Sequence, residues 1–371
     1  MSMGINAMFD RETWSHVPPE FWAVVFFVFG SMVGSFLNVC IHRLPRGESI
    51  VSPPSHCPHC GYSIPWQLNI PLVTWLWLQG KCANCRAPIS IRYFLIEFLT
   101  AVMFLGCWFA AGRQSAALAL VLCALVSGLI VASFIDIEHF IIPDGLNYGG
   151  MVVGLVCSLL VPSLHDTTSP LRSLWQGMLG IAVGAGLIYL VVRGGKLLFG
   201  QRLFELKDGE RVVFTETDMV LPEEQIAYGE IFYRKTDTVA FQAATLELSD
   251  RCYKNATVRL TSSKLLIGEE ELKPEEVPYM EVTTAKIVVP REVMGLGDVK
   301  FMAAIGAFLG WQAVIFCLGV SSLIGAPVGL AMVAFKQHEK SRPLQYGPFI
   351  ALAAIIWIFG GCQIWLKLFG L

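Results

Sequence analysis

The sequence predicts an all-α polytopic membrane bundle of about eight transmembrane helices, carrying a cytoplasmic zinc-binding loop and one inserted small β-rich soluble domain. Three observations predict it. Only 15% of the 371 residues are charged and 54% are hydrophobic, with a mean hydropathy of +0.58; soluble domains carry about a quarter charged residues. Apolar runs of about 17–25 residues, enough to cross a bilayer, recur through residues 1–200 and 299–371. Most acidic residues fall instead between about 204 and 292. The net charge of −2 points to no nucleic-acid partner.

Spans are expected near 20–41, 94–112, 116–135, 146–163, 174–194, 299–311, 312–335 and 347–368. The first follows an acidic and aromatic leader (Phe9, Asp10, Glu12, Trp14) with no basic n-region, so it is expected to remain as a helix and not to be cleaved as a signal. The sixth is short. It reads as a tilted helix or as one arm of a hairpin with the seventh. Basic residues collect after span one (Arg43, Arg46, Lys81, Arg86, Arg92), span five (Arg193, Lys196) and span seven (Lys336, Lys340, Arg342), against Arg113 and Arg172 in the opposite loops. This bias places 43–92, 136–145, 195–298 and 336–346 in the cytoplasm and both termini outside.

The expected organisation is therefore a leader and first helix at 1–42, a cytoplasmic loop at 43–92, helices two to five at 93–198, a soluble insert at 199–292 and the last helices at 293–371. In the insert, V-V-F-T, I-F-Y-R, A-T-V-R-L-T and A-K-I-V-V-P are β-branched and aromatic. Turn signals such as K-D-G-E and L-P-E-E separate them, so they read as strands.

The loop at 43–92 contains C-P-H-C at 57–60 and C-A-N-C at 82–85, with 21 residues between. Two such knuckles suit a tetrahedral zinc site made of Cys57, Cys60, Cys82 and Cys85. A reducing cytoplasm would keep the thiols free for metal, whereas two disulfides would require the opposite topology. A closed four-cysteine site has no open coordination position, so it would fold the loop and not catalyse.

Carboxylates at a membrane edge are candidate functional groups because a charge there is expensive. Asp136 ends the third span and Asp298 opens the sixth, at the same expected depth. If they meet, repulsion and desolvation make the pair share a proton. One carboxylate could then activate water while its protonated partner polarises a carbonyl. Gly295 and Gly297 would give a substrate strand room beside Asp298. The plainer readings make Asp298 a helix cap, pair Asp136 with Lys300 or an arginine, and use Asp144 as a cap. They leave Glu138 solvated, and let Glu97 snorkel or bond a neighbouring helix. A proton-coupled transporter with a zinc-folded module is the competing function, although its acids would be expected near mid-helix.

Six ordered segments together resemble type 4 prepilin peptidases: G-S-F-L-N-V-C-I-H-R-L-P at 34–45, the two C-x-x-C pairs, I-S-I-R-Y-F-L-I-E-F-L-T-A at 89–101, the D-x₇-D block ending in I-P-D at 136–144, M-G-L-G-D-V-K at 294–300, and P-L-Q-Y-G-P-F-I-A-L-A-A at 343–354. The resemblance implies a membrane aspartyl protease of the bacterial inner membrane. Its substrates would be type IV prepilins or type II secretion pseudopilins, cut after a Gly at the cytoplasmic face. Asp136 and Asp298 would be the catalytic pair, with Gly295, Gly297 and Lys300 as supporting motif. Many members of that family also methylate the new N-terminus with S-adenosylmethionine, a step associated with the cysteine-rich loop, so the resemblance favours a bifunctional enzyme. A presenilin-type G-x-G-D protease would not need that loop. One departure stands out: about 90 residues precede G-L-G-D where the family has a short loop. They are a candidate docking domain for a substrate or an assembly protein.

Overall fold

In lipid a backbone must satisfy its own hydrogen bonds, so long apolar runs become helices. The computed structural model describes residues 18–112, 114–207, 210–232, 237–291, 294–334 and 345–369. The aromatic leader, Arg113 and the basic cluster Lys336, Lys340 and Arg342 lie outside the described residues. The helices are α1 (Pro19–Arg43), α2 (Val73–Trp77), α3 (Ile91–Cys107, continued by a π-turn to Gly112), α4 (Ala116–His139), α5 (Asp144–Leu160), α6 (Pro170–Phe199), α7 (Tyr228–Ile231), α8 (Leu296–Ala334), α9 (Gly347–Ile356) and α10 (Cys362–Phe369). Two compact units emerge: one joins the chain up to Tyr189 with the chain from Leu296, and the other is Leu190–Gly295.

Among the described residues, six helices are long and apolar enough to cross a membrane: Glu20–Arg46, Ile91–Gly112, Ala116–His139, Pro170–Leu198, Leu296–Met332 and Gly347–Lys367. The expectation was eight. The difference has two causes. Helix α5 is apolar but only 17 residues long, at the lower limit for a span. The expected sixth and seventh spans form one helical run, α8, of 39 residues.

That run is not straight. Gly310 has φ 76° and ψ 176°, a conformation essentially reserved for glycine. A β-carbon built on Gly306 would lie 3.1 Å from Cγ2 of Val314, yet eight residues of straight helix rise about 12 Å. The chain therefore turns back at Gly310, leaving two helical arms, 296–309 and 311–334.

Glycines set the packing of the first arm. A β-carbon on Gly154 of α5 would meet Cβ of Ala307 at 2.7 Å, and one on Gly184 of α6 would meet the Met302 carbonyl oxygen at 2.7 Å. These helices approach almost backbone to backbone, as small residues permit in lipid, where dispersion contacts replace the hydrophobic drive. Helices α1 and α3 cross the same way at Gly30 and Gly34, whose β-carbons would touch the Cα atoms of Ala101 and Glu97.

Polar contacts gather the helix ends at one end of the bundle. Asn38 Nδ2 donates to the Tyr93 carbonyl at 3.1 Å. Arg92 pairs with Glu138, Gln345 Nε2 donates to the Ile137 carbonyl at 2.8 Å, and Lys300 Nζ pairs with Asp144 at 2.6 Å. Glu138 is thus ion-paired and not simply solvated.

The second unit makes the chain as a whole mixed, not all-α. Its antiparallel strands are β1 (Gln201–Glu205), β2 (Arg211–Phe214), β3 (Asp218–Val220), β4 (Gln225–Ala227), β5 (Thr238–Leu248), β6 (Cys252–Thr261), β7 (Leu265–Ile267), β8 (Glu270–Leu272), β9 (Met280–Thr283) and β10 (Lys286–Pro290). They run β4-β3-β2-β9-β5-β6-β7-β8, with β10 joining β5 to β1. Alternating residues supply the core (Val212, Phe214, Phe241, Leu246, Val258, Val282, Ile287), as the period-2 pleat dictates. Three of the expected strand motifs lie in β2, β6 and β10. The fourth, I-F-Y-R, does not begin a strand: Ile231 closes α7, and residues 233–234 lie outside the described residues. Gln201 opposes Pro290 in the ladder, so the strands by which the chain enters and leaves this unit are neighbours.

Candidate active site and metal centre

Helix α4 ends where Phe140 turns left-handed (φ 55°) and its N–H bonds the Asp136 carbonyl at 2.9 Å. This fixes Asp136 on the last buried turn. Its Oδ2 accepts the Gly347 backbone N–H at 3.1 Å, in the first turn of α9. A β-carbon on Gly347 would lie 2.7 Å from that oxygen and 3.2 Å from Ile142 Cδ1. Only glycine lets this backbone approach the carboxylate so closely. The Y-G-P segment was visible in the sequence, but nothing there connected it to Asp136 across more than two hundred residues.

Asp298 lies in the first turn of α8 and is partly buried. Its neighbour Gly297 faces Ile142, whose Cβ would be 3.6 Å from an added β-carbon. Ile142 thus touches Gly297 on one side and Gly347, the partner of Asp136, on the other. Both acids belong to the same end of the bundle, around this isoleucine. Gly297 sits within a regular helix and makes only an ordinary contact, so its role is not the backbone freedom expected of it. Gly295 precedes the helix and is exposed.

Asp144 departs from its expected role. Pro143, not Asp144, holds the cap position of α5 and makes no side-chain cap bond. Asp144 instead pairs with Lys300, whose Nζ also lies 5.2 Å from the Tyr148 ring centre. Lys300 is therefore committed to Asp144 and not to Asp136. Glu97 is buried and accepts the Leu72 backbone N–H through Oε2 at 2.7 Å. It thus ties the cysteine loop to α3, and it also hydrogen-bonds Ser35 of the neighbouring helix α1, as expected.

The cysteine loop contains the same fold twice. Cys57 N–H donates to the Tyr62 carbonyl and Cys82 N–H to that of Ala87, both at 2.9 Å. Gly61 N–H returns to Cys57 O at 2.9 Å and Arg86 N–H to Cys82 O at 3.1 Å. Gly61 and Arg86 are both left-handed, at φ 68° and 61°. Each knuckle therefore presents two sulfurs from one tight turn. All four sulfurs lie within 4.8 Å of one another, and Cys57 Sγ is 3.8 Å from Cys85 Sγ. A tetrahedron with bonds of about 2.3 Å needs sulfurs about 3.8 Å apart, so the donor set fits zinc.

The electrostatics agree. The Cys82 thiol is held down to about 6, first by the Cys85 N–H and then by that of Asn84. Cys60 is lowered, chiefly by the Tyr62 N–H. Cys85 is pushed up to about 11: the Ala87 N–H pulls it down, but desolvation and the other three thiols outweigh that. Thiols competing for protons in one cluster are what a divalent ion relieves.

A cavity of about 340 Å³ opens along α1, lined by Met32, Phe36, Arg43, Ile50, Asn69 and Pro71 among others. Arg43 spends two guanidinium N–H groups on the carbonyls of Ser49 and Pro53. Its polar lining residues are Ser35, Arg43, Ser55 and Asn69.

Residues 28–111 match the family model of the bacterial peptidase A24 N-terminal domain. Residues 123–207 and 277–330 match that of the type IV leader peptidase family. A protein of Aeromonas hydrophila named prepilin leader peptidase/N-methyltransferase is 29% identical over 370 residues, covering 92% of this chain and 93% of that protein. A Myxococcus xanthus (strain DK1622) protein of the same name is 45% identical over 147 residues, 38% of this chain and 43% of its own. An Escherichia coli O78:H11 protein named type 4 prepilin-like proteins leader peptide-processing enzyme is 38% identical over 184 residues, 45% of this chain and 65% of its own. No solved structure matches the chain. The two family models meet the helical stretches on both sides of the β unit, and the Aeromonas relative aligns nearly end to end, so this chain belongs to the type IV leader peptidase family.

Proposed function

We infer that this chain is a membrane aspartyl endopeptidase that removes the leader of type IV prepilins or type II secretion pseudopilins and then N-methylates the exposed residue. The names and lengths of its relatives support both activities. The observation that carries the site is the anchored carboxylate of Asp136, bound by the Gly347 N–H and linked through Ile142 to the helix that Asp298 opens.

In this reading the ionised member of the pair takes a proton from water, and the water oxygen attacks the scissile carbonyl carbon. The protonated member donates to the carbonyl oxygen as it becomes an alkoxide. Collapse re-forms the carbonyl and breaks the C–N bond: the second carboxylate takes back the hydroxyl proton while the first carboxyl gives its proton to the leaving amine. The Gly347 N–H holds the Asp136 carboxylate in place. S-adenosylmethionine would supply an electrophilic methyl group to the freed amine.

The helices support a multi-pass reading with the two arms of α8 and the short α5 as additional crossings, eight in all. The bias of Lys and Arg supports a cytoplasmic placement for the end bearing Asp136, Asp298 and the cysteine loop, and the relatives' names suit a bacterial inner membrane. Zinc held by Cys57, Cys60, Cys82 and Cys85 would stabilise the loop. Gly295, Gly297 and Lys300 would shape the start of the catalytic helix.

The test is cleavage of a prepilin-like peptide by the purified protein beside Asp136→Asn and Asp298→Asn. Each substitution should remove detectable turnover. Retained cleavage in either variant would falsify the two-carboxylate mechanism.

A further inference from the structure

We propose that the segment 66–77 of the cysteine loop is a wedge seated in the headgroup–acyl boundary of the bilayer, with phospholipid as its partner. The proposal rests on the reading of this chain as membrane-spanning.

Depth is the first observation. Glu97 is the acceptor for the Leu72 N–H and lies six residues beyond Ile91, where α3 starts. Six residues advance about 9 Å along a helix. The loop backbone at Leu72 is thus level with the second turn of a helix that crosses the membrane. Asn69 and Pro71 also line the cavity along α1 together with Met32, Ser35 and Arg43, so the segment lies alongside the last turns of that helix as well.

Its surface is the second observation. Inward residues are satisfied: Thr74 is buried, and the Trp75 ring packs 5.3 Å from that of Phe94. The exposed side chains are mainly apolar, with Gln67 and Asn69 the polar exceptions. Trp66 is 76% exposed, Trp77 75%, Leu76 59% and Val73 56%. Two tryptophans beside aliphatic residues at this depth match the interfacial preference of amphipathic aromatic rings, and 5–10 Å of insertion is usual for an interfacial apolar face.

Charge is the third observation. In residues 43–92, Arg43 is taken up by backbone carbonyls and Arg92 by Glu138, which leaves Arg46, Lys81 and Arg86 against Glu48, a balance that favours an anionic lipid surface. A partner protein would have to reach these residues at a depth that lipid already occupies.

The experiment places the photoreactive residue p-benzoylphenylalanine singly at Trp66, Val73 and Trp77 in the full chain, in nanodiscs of phosphatidylethanolamine and phosphatidylglycerol. Two controls are Phe29, an exposed residue of α1, and His59, exposed in the first knuckle. Irradiation should add a phospholipid mass at positions 66, 73, 77 and 29 and little at 59. Labelling at 29 without labelling at 66, 73 and 77 overturns the wedge, as do chain-to-chain crosslinks at those three sites or equal labelling at 59. No lipid adduct at 29 would overturn the membrane reading itself and the wedge with it.

Discussion

Replacing Gly347 with alanine tests the anchoring of Asp136 most directly. The added β-carbon would sit 2.7 Å from Oδ2, 3.2 Å from Cγ and 3.2 Å from Ile142 Cδ1. Normal carbon–oxygen contact is well beyond 3 Å, and Ile142 blocks one route of escape. The carboxylate must swing away or the start of α9 must withdraw, and either movement breaks the 3.1 Å bond from the Gly347 N–H. A hydrogen bond to a charged group contributes about 1.5–3 kcal/mol. If it holds the carboxylate through the transition state, its loss lowers kcat roughly 10- to 150-fold. A loss confined to the transition state lowers kcat and leaves KM little changed. The assay is initial-rate cleavage of a prepilin-like peptide over a range of concentrations, beside Gly149→Ala, whose β-carbon would meet nothing within 4 Å. The control should keep its rate and its thermal midpoint, and Gly347→Ala should remain folded at the assay temperature. A Gly347→Ala enzyme with kcat within twofold of the parent would refute the anchoring argument.

Other outcomes follow from the same contacts. Protein purified under reducing conditions without added zinc should carry about one ion per chain; Cys82→Ser should lose it while Cys252→Ser keeps it, and metal-free parent protein would end the four-cysteine assignment. Gly310→Ala forces a β-carbon into a conformation with φ 76° and ψ 176°, which should destabilise by about 1–3 kcal/mol; an unchanged thermal midpoint would mean the reversal of α8 is held differently. Replacing 201–290 by a short Gly/Ser linker should leave peptide cleavage in detergent intact, because Gln201 and Pro290 are ladder partners and closing a short loop costs little. Loss of cleavage with zinc still bound would show that the β unit takes part in the reaction.

The helical segments were legible because lipid leaves the backbone few options and a span needs a fixed length of apolar residues. The cysteine site was legible too, since each knuckle is a local turn whose hydrogen bonds lie within about ten residues. Strand positions in the insert were legible only in part. I-F-Y-R has strand composition, yet Ile231 ends a helical turn, because pairing across the sheet, and not propensity, decides a strand.

The sequence by itself determined a membrane bundle, a four-thiol cluster and the two acids at helix ends, since each depends on composition or on neighbours a few residues apart. Tertiary structure alone decided the rest. It turned a run of 39 helical residues back on itself at Gly310, gave Lys300 to Asp144, drew the cysteine loop down to Glu97 and set the Gly347 N–H against Asp136. The physical reason is that these are contacts between elements distant in the chain, and steric fit at a few glycines selects among partners that composition makes equally acceptable.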